Sequence, residues 1–279
     1  MGTLLRIELF KIATKPRSYI GFAAITVIVL LIELALWLDG RSYLEFILQA
    51  LEQSFQVQGN LLNGNLVSFI ILQTLIVQMP LLVALIAGDL VSGEAASGTI
   101  RLLLTQPHSR ASILWAKYFA ASIYVFLLIF WLGLLALGGG FLLFGSGDLV
   151  VLKSDELIIL KAADTLWRFM AAFGIAFLSL SVVATFSLML SCYTDNSIGP
   201  IIASMAVIIL FTIIGTLEVP LFDRIKPFLF TTHMIVWRSM FDQPLDWGAI
   251  LRSMWILVFH IALFLGVSFF HFTKKDIQN

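Results

Sequence analysis

Apolar runs of about twenty residues, separated by short stretches that hold nearly all the charge, dominate the chain of 279 residues. At a rise of about 1.5 Å per residue, each run is long enough as a helix to cross the hydrocarbon core of a bilayer. Only 12% of residues are charged, about half the share of a soluble domain. Such a chain cannot cover a water-facing surface with polar groups. The fold class expected is an all-α integral membrane protein with six transmembrane helices.

The expected spans are 18–38, 66–88, 112–137, 168–192, 198–217 and 249–271. Arg6, Lys11, Lys15 and Arg17 precede the first run, as in a signal peptide. The run is too long for an h-region and lacks a small-x-small site after it, so a retained span is expected. Residues 1–17 read as an interfacial elbow helix. Leu5, Leu9 and Ile12 share one face and Glu8, Lys11 and Lys15 another, which directs the lysines toward anionic lipid. Pro80 is expected to kink span two. Connections 39–65, 138–167 and 218–248 read as longer, acidic loops.

Nine Lys and Arg fall on the side of the N-terminus and eight on the other. The nine lie in shorter segments beside span ends, where the positive-inside rule has most force. Both termini are therefore expected in the cytosol, and a single membrane domain is expected over 1–279. Trp37, Trp167 and Trp247 mark one interface and Trp115 the other. Cys192 is the only cysteine, which excludes an intrachain disulfide.

Enzymatic and nucleotide motifs are missing from the sequence. Gly88-Asp-Leu-Val-Ser-Gly-Glu94 has the glycine spacing of a phosphate loop, but Glu94 stands where the lysine belongs and would repel phosphate. His108, His233, His260 and His271 form no metal-ligand pair, and no Gly-x-Ser-x-Gly elbow occurs. No catalytic set, no metal and no cofactor bound by this chain are expected. An intramembrane enzyme ranks last among the functional classes.

Polar residues inside the spans are the first candidates for a pathway. Glu33 is the one carboxylate within a span, where charge is costly and usually functional. Gln73 and Gln78 on span two and Ser181 and Thr185 on span four could line a route beside it, as could Ser187 and Ser191. Interhelical hydrogen bonding is the commoner use of such groups. An ion- or proton-coupled carrier would rest on these residues.

The segment between spans two and three differs in kind. It runs from Gly88 to Lys117 and sets Asp89, Glu94, Arg101, Arg110 and Lys117 around an apolar Ile100-Arg-Leu-Leu-Leu104 cluster. Gly98 and Pro107 bracket the cluster as breakers, and Ser109 can cap the following helix. An apolar cluster among charges at a membrane face suits a docking surface.

That segment resembles the cytosolic loop of ABC-2 type transporter permeases: Gly-Asp, then Ser-Gly-Glu, Gly-Thr, a leucine run, Pro, Ser-Arg and Lys, in this order. The elbow, the six spans, the tight turn 193–197 and the aromatic ending before Lys-Lys-Asp-Ile match it along the chain. The resemblance implies a permease that pairs with a separate ATP-binding cassette ATPase, on which ATP and Mg would sit. It implies a cytosolic coupling helix in 89–112, with Asp89, Glu94, Gly98, Thr99, Arg101, Leu104, Pro107, Arg110 and Lys117 at or near the contact. Tyr193 and Asp195 would form a second, smaller contact. It also implies a homodimer or related heterodimer, export as the direction, and the bacterial cytoplasmic (inner) membrane. No nucleic-acid partner is expected, and the cargo is open.

Overall fold

The computed structural model describes residues 1–52, 61–105, 107–152 and 157–274, with the backbone alone described at Arg41, 43–52, Arg101, Leu103, Leu104 and Leu152. An N-terminal helix α1 (Gly2–Thr14) leads into α2 (Arg17–Glu52), whose helical dihedrals are interrupted at Asp39. Then follow α3 (Gly64–Leu75), α4 (Met79–Ala87), the short α5 (Ser92–Ala96) and α6 (Thr99–Leu104), and the long α7 (Arg110–Phe144). A hairpin of β1 (Leu149–Leu152) and β2 (Leu157–Leu160) precedes α8 (Ala162–Tyr193) and α9 (Ile198–Thr216). Two short helices, α10 (Pro220–Asp223) and α11 (Phe230–Met234), and 3₁₀ turns at Lys226–Phe228 and Ile235–Phe241 lead to α12 (Trp247–Lys274).

Among the described residues, five helices are long and apolar enough to cross a membrane: Arg17–Gly40 of α2, then α7, α8, α9 and α12. The chain is a multi-pass membrane protein with an almost wholly helical bundle. Where span two is expected, α3 and α4 meet at a 50° bend and satisfy the same criterion only as a pair. The break falls at Ile76-Val77-Gln78, just before Pro80 in the first turn of α4. Proline has no N–H for the preceding turn and its ring crowds the carbonyl four residues back, so the chain bends there.

The bundle is built around α8, with two-thirds of its apolar window buried against about a fifth for α9 and α12. Serines and threonines ride in this helix without unpaired hydroxyls where they bond its own carbonyls: Ser181 Oγ donates to Phe177 O at 2.7 Å and Thr185 Oγ1 to Val182 O at 2.8 Å. The end that carries the N-terminus and residues 88–109 is termed proximal below, and the opposite end distal.

At the distal end the chain is folded more tightly than its sequence suggests. Asn63 caps α3 by accepting from Leu66 N at 3.1 Å, and it donates to Asp148 O at 2.8 Å. Asn65 donates to Gly147 O at 2.6 Å, while Ser68 reaches across to Ala136 O at 2.7 Å. The expected plain loops 138–167 and 218–248 instead hold the two-stranded hairpin and the short helices. Their apolar residues explain this: Phe230, Trp237, Met240 and Phe241 are fully buried. Phe241 packs edge-on against both Phe69 and Phe169 at 5.0 Å between ring centroids. Arg168, buried on α8, holds that layer by donating to Met240 O at 2.8 Å and Asp242 O at 3.0 Å.

Candidate functional site

At the proximal end, charges from three separate stretches of chain meet, with Glu8, Glu94 and Lys117 buried and Lys11 at the edge. Lys117 lies two turns into α7 and is completely buried. Its ammonium donates to Glu8 Oε2 at 2.9 Å and Leu90 O at 2.8 Å, and pairs with Glu94 Oε2 at 2.7 Å. Lys11 completes the arrangement at 2.8 Å from Glu8 Oε1 and 2.6 Å from Glu94 Oε1. Two carboxylates and two ammonium groups thus alternate around a closed ring. A buried ion costs several kcal/mol unless it is paired, and here each charge has two opposite neighbours.

A second cluster adjoins the first. Asp89 Oδ2 receives Lys15 at 2.9 Å and also pairs with Arg17. A cavity of about 10 Å³, the room one water needs, lies among Glu8, Lys11, Lys15, Arg17, Ser18, Asp89 and Glu94. Gly93 is required beside this cluster, because a side chain there would collide with the Asp89 carboxylate.

Ionisation follows from the pairing. Burial alone pushes the Glu94 carboxyl up, but the charge of Lys117 and the bond from Lys11 outweigh it and hold the group below its ordinary value of 4.5. For Lys11, burial pulls the ammonium down, yet the hydrogen bonds it donates to Glu8 and Glu94 prevail and raise it above 10.5. Glu94 and Lys11 are therefore charged at neutral pH.

The segment is also tied to α8. Ser191 Oγ accepts from Val91 N at 3.1 Å and Ser92 N at 2.9 Å, and donates to Ser92 Oγ at 3.1 Å. These are orphan donors of the first turn of α5, satisfied by a side chain of a neighbouring helix. Gly98 then ends α5 with φ at +71°, a left-handed conformation that suits glycine, and allows α6 to start at once. Ser109 caps α7, accepting from Ser112 N at 3.2 Å. Arg110 donates to Thr273 O at 3.2 Å, covering a carbonyl at the end of α12.

The residues singled out in the sequence divide into two sets. Asp89, Glu94 and Lys117 are buried parts of the charge clusters, whereas Gly98, Thr99 and Pro107 are exposed. Leu102 stands 70% exposed on α6. Arg101 and Leu104 belong to the α6 backbone, and their side chains lie outside the described residues. Tyr193 stacks on His271 at 3.9 Å between ring centroids, and Asp195 lies in the turn that follows.

The residues proposed for a pathway are dispersed. Glu33 is buried against Gly139 of α7, and its Oε1 has no hydrogen-bond partner. Gln73 and Gln78 are exposed on the bundle surface, and Ser181 and Thr185 bond within α8. Among the described residues, no group of His, Cys, Asp or Glu is placed to hold a metal ion.

Sequence reasoning missed the partners of the motif. It directed Lys11 and Lys15 to lipid, but both pair with the carboxylates of residues 89 and 94. The buried face of α1 is Leu4, Glu8 and Ile12, and Phe10 is the large apolar residue left most exposed. The available signal was a buried-face glutamate at i, with lysines at i+3 and i+7, upstream of an acidic segment. Nothing in the sequence marked Gly93 or Ser191 for their contacts.

Comparison with known proteins places the chain among relatives whose activities are open. It is 30% identical over 202 residues to the uncharacterized protein YhcI of Bacillus subtilis (strain 168), covering 70% of this chain. The match spans 63% of the length of that protein, less than two-thirds. A family model described as a protein of unknown function (DUF2705) matches residues 20–278, and the chain belongs to that family.

Proposed function

We propose that this chain is the permease subunit of an ATP-binding cassette exporter, working as a pair of permeases with a separate ATPase. The reading sets six spans in a bacterial cytoplasmic membrane, with α3 and α4 counted as one bent span and both termini in the cytosol. The observation that carries it is the fixing of residues 88–94 to α1, α7 and α8 by buried ion pairs and by Ser191. On that base stands a short exposed strip of Ser97, Gly98, Thr99, Leu102 and Pro107. An apolar side chain held out from a rigid base is a docking feature, and a push on it would be passed to three helices together. In this reading α5 and α6 form the coupling helix, and Glu94 transmits force from inside while Leu102 and Thr99 meet the ATPase.

The test is affinity purification of the full-length protein from its native membrane. An ATPase of the cassette class should co-elute and be lost on Leu102→Asp, with insertion unchanged. Purification without any ATPase, under conditions that retain a control complex, would sink the proposal.

A second reading, an ion- or proton-coupled carrier, has one observation in its favour: the buried Glu33, whose Oε1 has no hydrogen-bond partner. It predicts substrate uptake or efflux in vesicles free of nucleotide and abolished by Glu33→Gln. Transport that needs ATP would exclude it.

A further inference from the structure

The distal half of the bundle holds a feature that the proposed coupling does not use. Between α7 and α8 lies an open groove of about 670 Å³, lined among others by Phe126, Phe130, Leu134, Met170 and Phe177. Its volume falls in the range of about 300–1,000 Å³ typical of ligand sites. Every lining residue is apolar or glycine. No charge or hydrogen-bonding side chain is available there to orient a polar ligand.

Two glycines make the groove. At Gly138 on α7 and Gly174 on α8, an added Cβ would meet no atom within 4 Å. Gly133 is different, since a Cβ there would press on the Phe173 ring at 3.1 Å. The first two positions therefore leave space open on facing helices, and the third lets those helices approach.

Depth and length select the occupant. Trp167, exposed and bonded to Asp164, sits one turn before Met170 on α8 and marks the distal interface. The groove starts just below that indole. It extends about 10 Å along α8 and about 18 Å along α7, at 1.5 Å per residue. Half the hydrocarbon core is about 15 Å. The groove thus matches one leaflet and stops near the bilayer centre. It is continuous with a lipid-facing surface that includes Leu127, Leu142, Leu143 and Leu166. A helix from a second copy would need matching relief through the whole bilayer thickness.

We propose that this groove binds one acyl chain of a membrane phospholipid from the distal leaflet. The tail lies against Phe130, Leu134 and Met170 and enters the space left by Gly138 and Gly174. This inference rests on membrane placement alone and is independent of the ATPase reading.

Photolabelling of the full-length protein in nanodiscs tests it, using phosphatidylglycerol with a diazirine in the middle of one acyl chain. Peptide mapping should find adducts concentrated in 126–138 and 170–177. The Gly138→Leu/Gly174→Leu variant displaces about two buried methylenes of the tail and should lower those adducts roughly tenfold. Adducts on the exposed face of α9 should stay unchanged, which shows that the variant is folded. Labelling spread evenly around the bundle would overturn the proposal, since it denotes ordinary boundary lipid. So would rapid disulfide formation between copies of Leu134→Cys, which places a second copy over the groove. Cys192, the only cysteine of the native chain, is buried, so the introduced thiol is the one that reports.

Discussion

The Lys117 ammonium and the Glu94 carboxylate lie 2.7 Å apart, one fully buried on a membrane-spanning helix and the other on the five-residue α5 outside it. Lys117 divides its pairing between Glu94 and Glu8, and Glu94 divides its own between Lys117 and Lys11. Breaking a buried pair by removing one partner costs about 3–5 kcal/mol, because an uncompensated charge is left behind. Lys117→Met is expected to lose about that much stability in detergent, and Lys117→Met/Glu94→Gln distinctly less than the two single changes added. A thermal-unfolding double-mutant cycle measures the difference, and strict additivity would contradict the pairing.

Ser191→Ala removes an acceptor from two buried amides. The expected cost is about 1–3 kcal/mol, felt as local opening of α5 rather than as loss of the bundle. Hydrogen exchange should quicken at Val91 and Ser92 while the middle of α8 stays protected. Unchanged exchange at those two amides would show that Ser191 does not hold them.

Gly93→Ala has a different effect. The new methyl must displace the Asp89 carboxylate, and with it the partners of Lys15 and Arg17. Overpacking of this kind costs about 1–3 kcal/mol. Limited trypsinolysis should cut after Arg17 severalfold faster in the variant. Equal rates would mean that Asp89 has room to move.

The pH dependence has two limbs of opposite sign. Glu94 is held below 4.5, so its contribution is complete above that value and is lost as pH falls through the lower value in the folded protein. Lys11 is raised above 10.5, so its contribution is complete below that value and is lost as pH rises through the higher one. Stability from these two groups should be flat between these limits. Glu94→Gln should blunt the acid limb, which a series of melting curves from pH 3 to pH 7 would check.

Much of the bundle was legible because its pattern is one-dimensional. Runs of twenty apolar residues have one stable answer in a bilayer, and Pro80 marks the bend to within a turn. The distal end was not legible. Phe230, Trp237 and Phe241 stand in a stretch without periodicity; Trp237 and Phe241 become core because Phe69 and Phe169 lie opposite, and Phe230 because Phe186 does. Of the proximal site, the sequence marked Asp89, Glu94 and Lys117 as important but read them as surface. What it could not supply was the pairing, since Glu8 and Lys117 are 109 positions apart and no local rule links them. The two lysines of α1 were assigned to lipid for the same reason.

The ring of charges also sets an order of assembly. Its members come from α1, α5 and α7, and Lys117 is the last of them to be synthesised. Until α7 has entered the membrane, Glu8 and Glu94 share only Lys11, and the elbow has no buried cation to close on. Helix α1 is made well before α7, yet it is among the last elements to find its place. Synthesis stalled before residue 117 would leave α1 unsecured, open to the proteases that remove incomplete proteins.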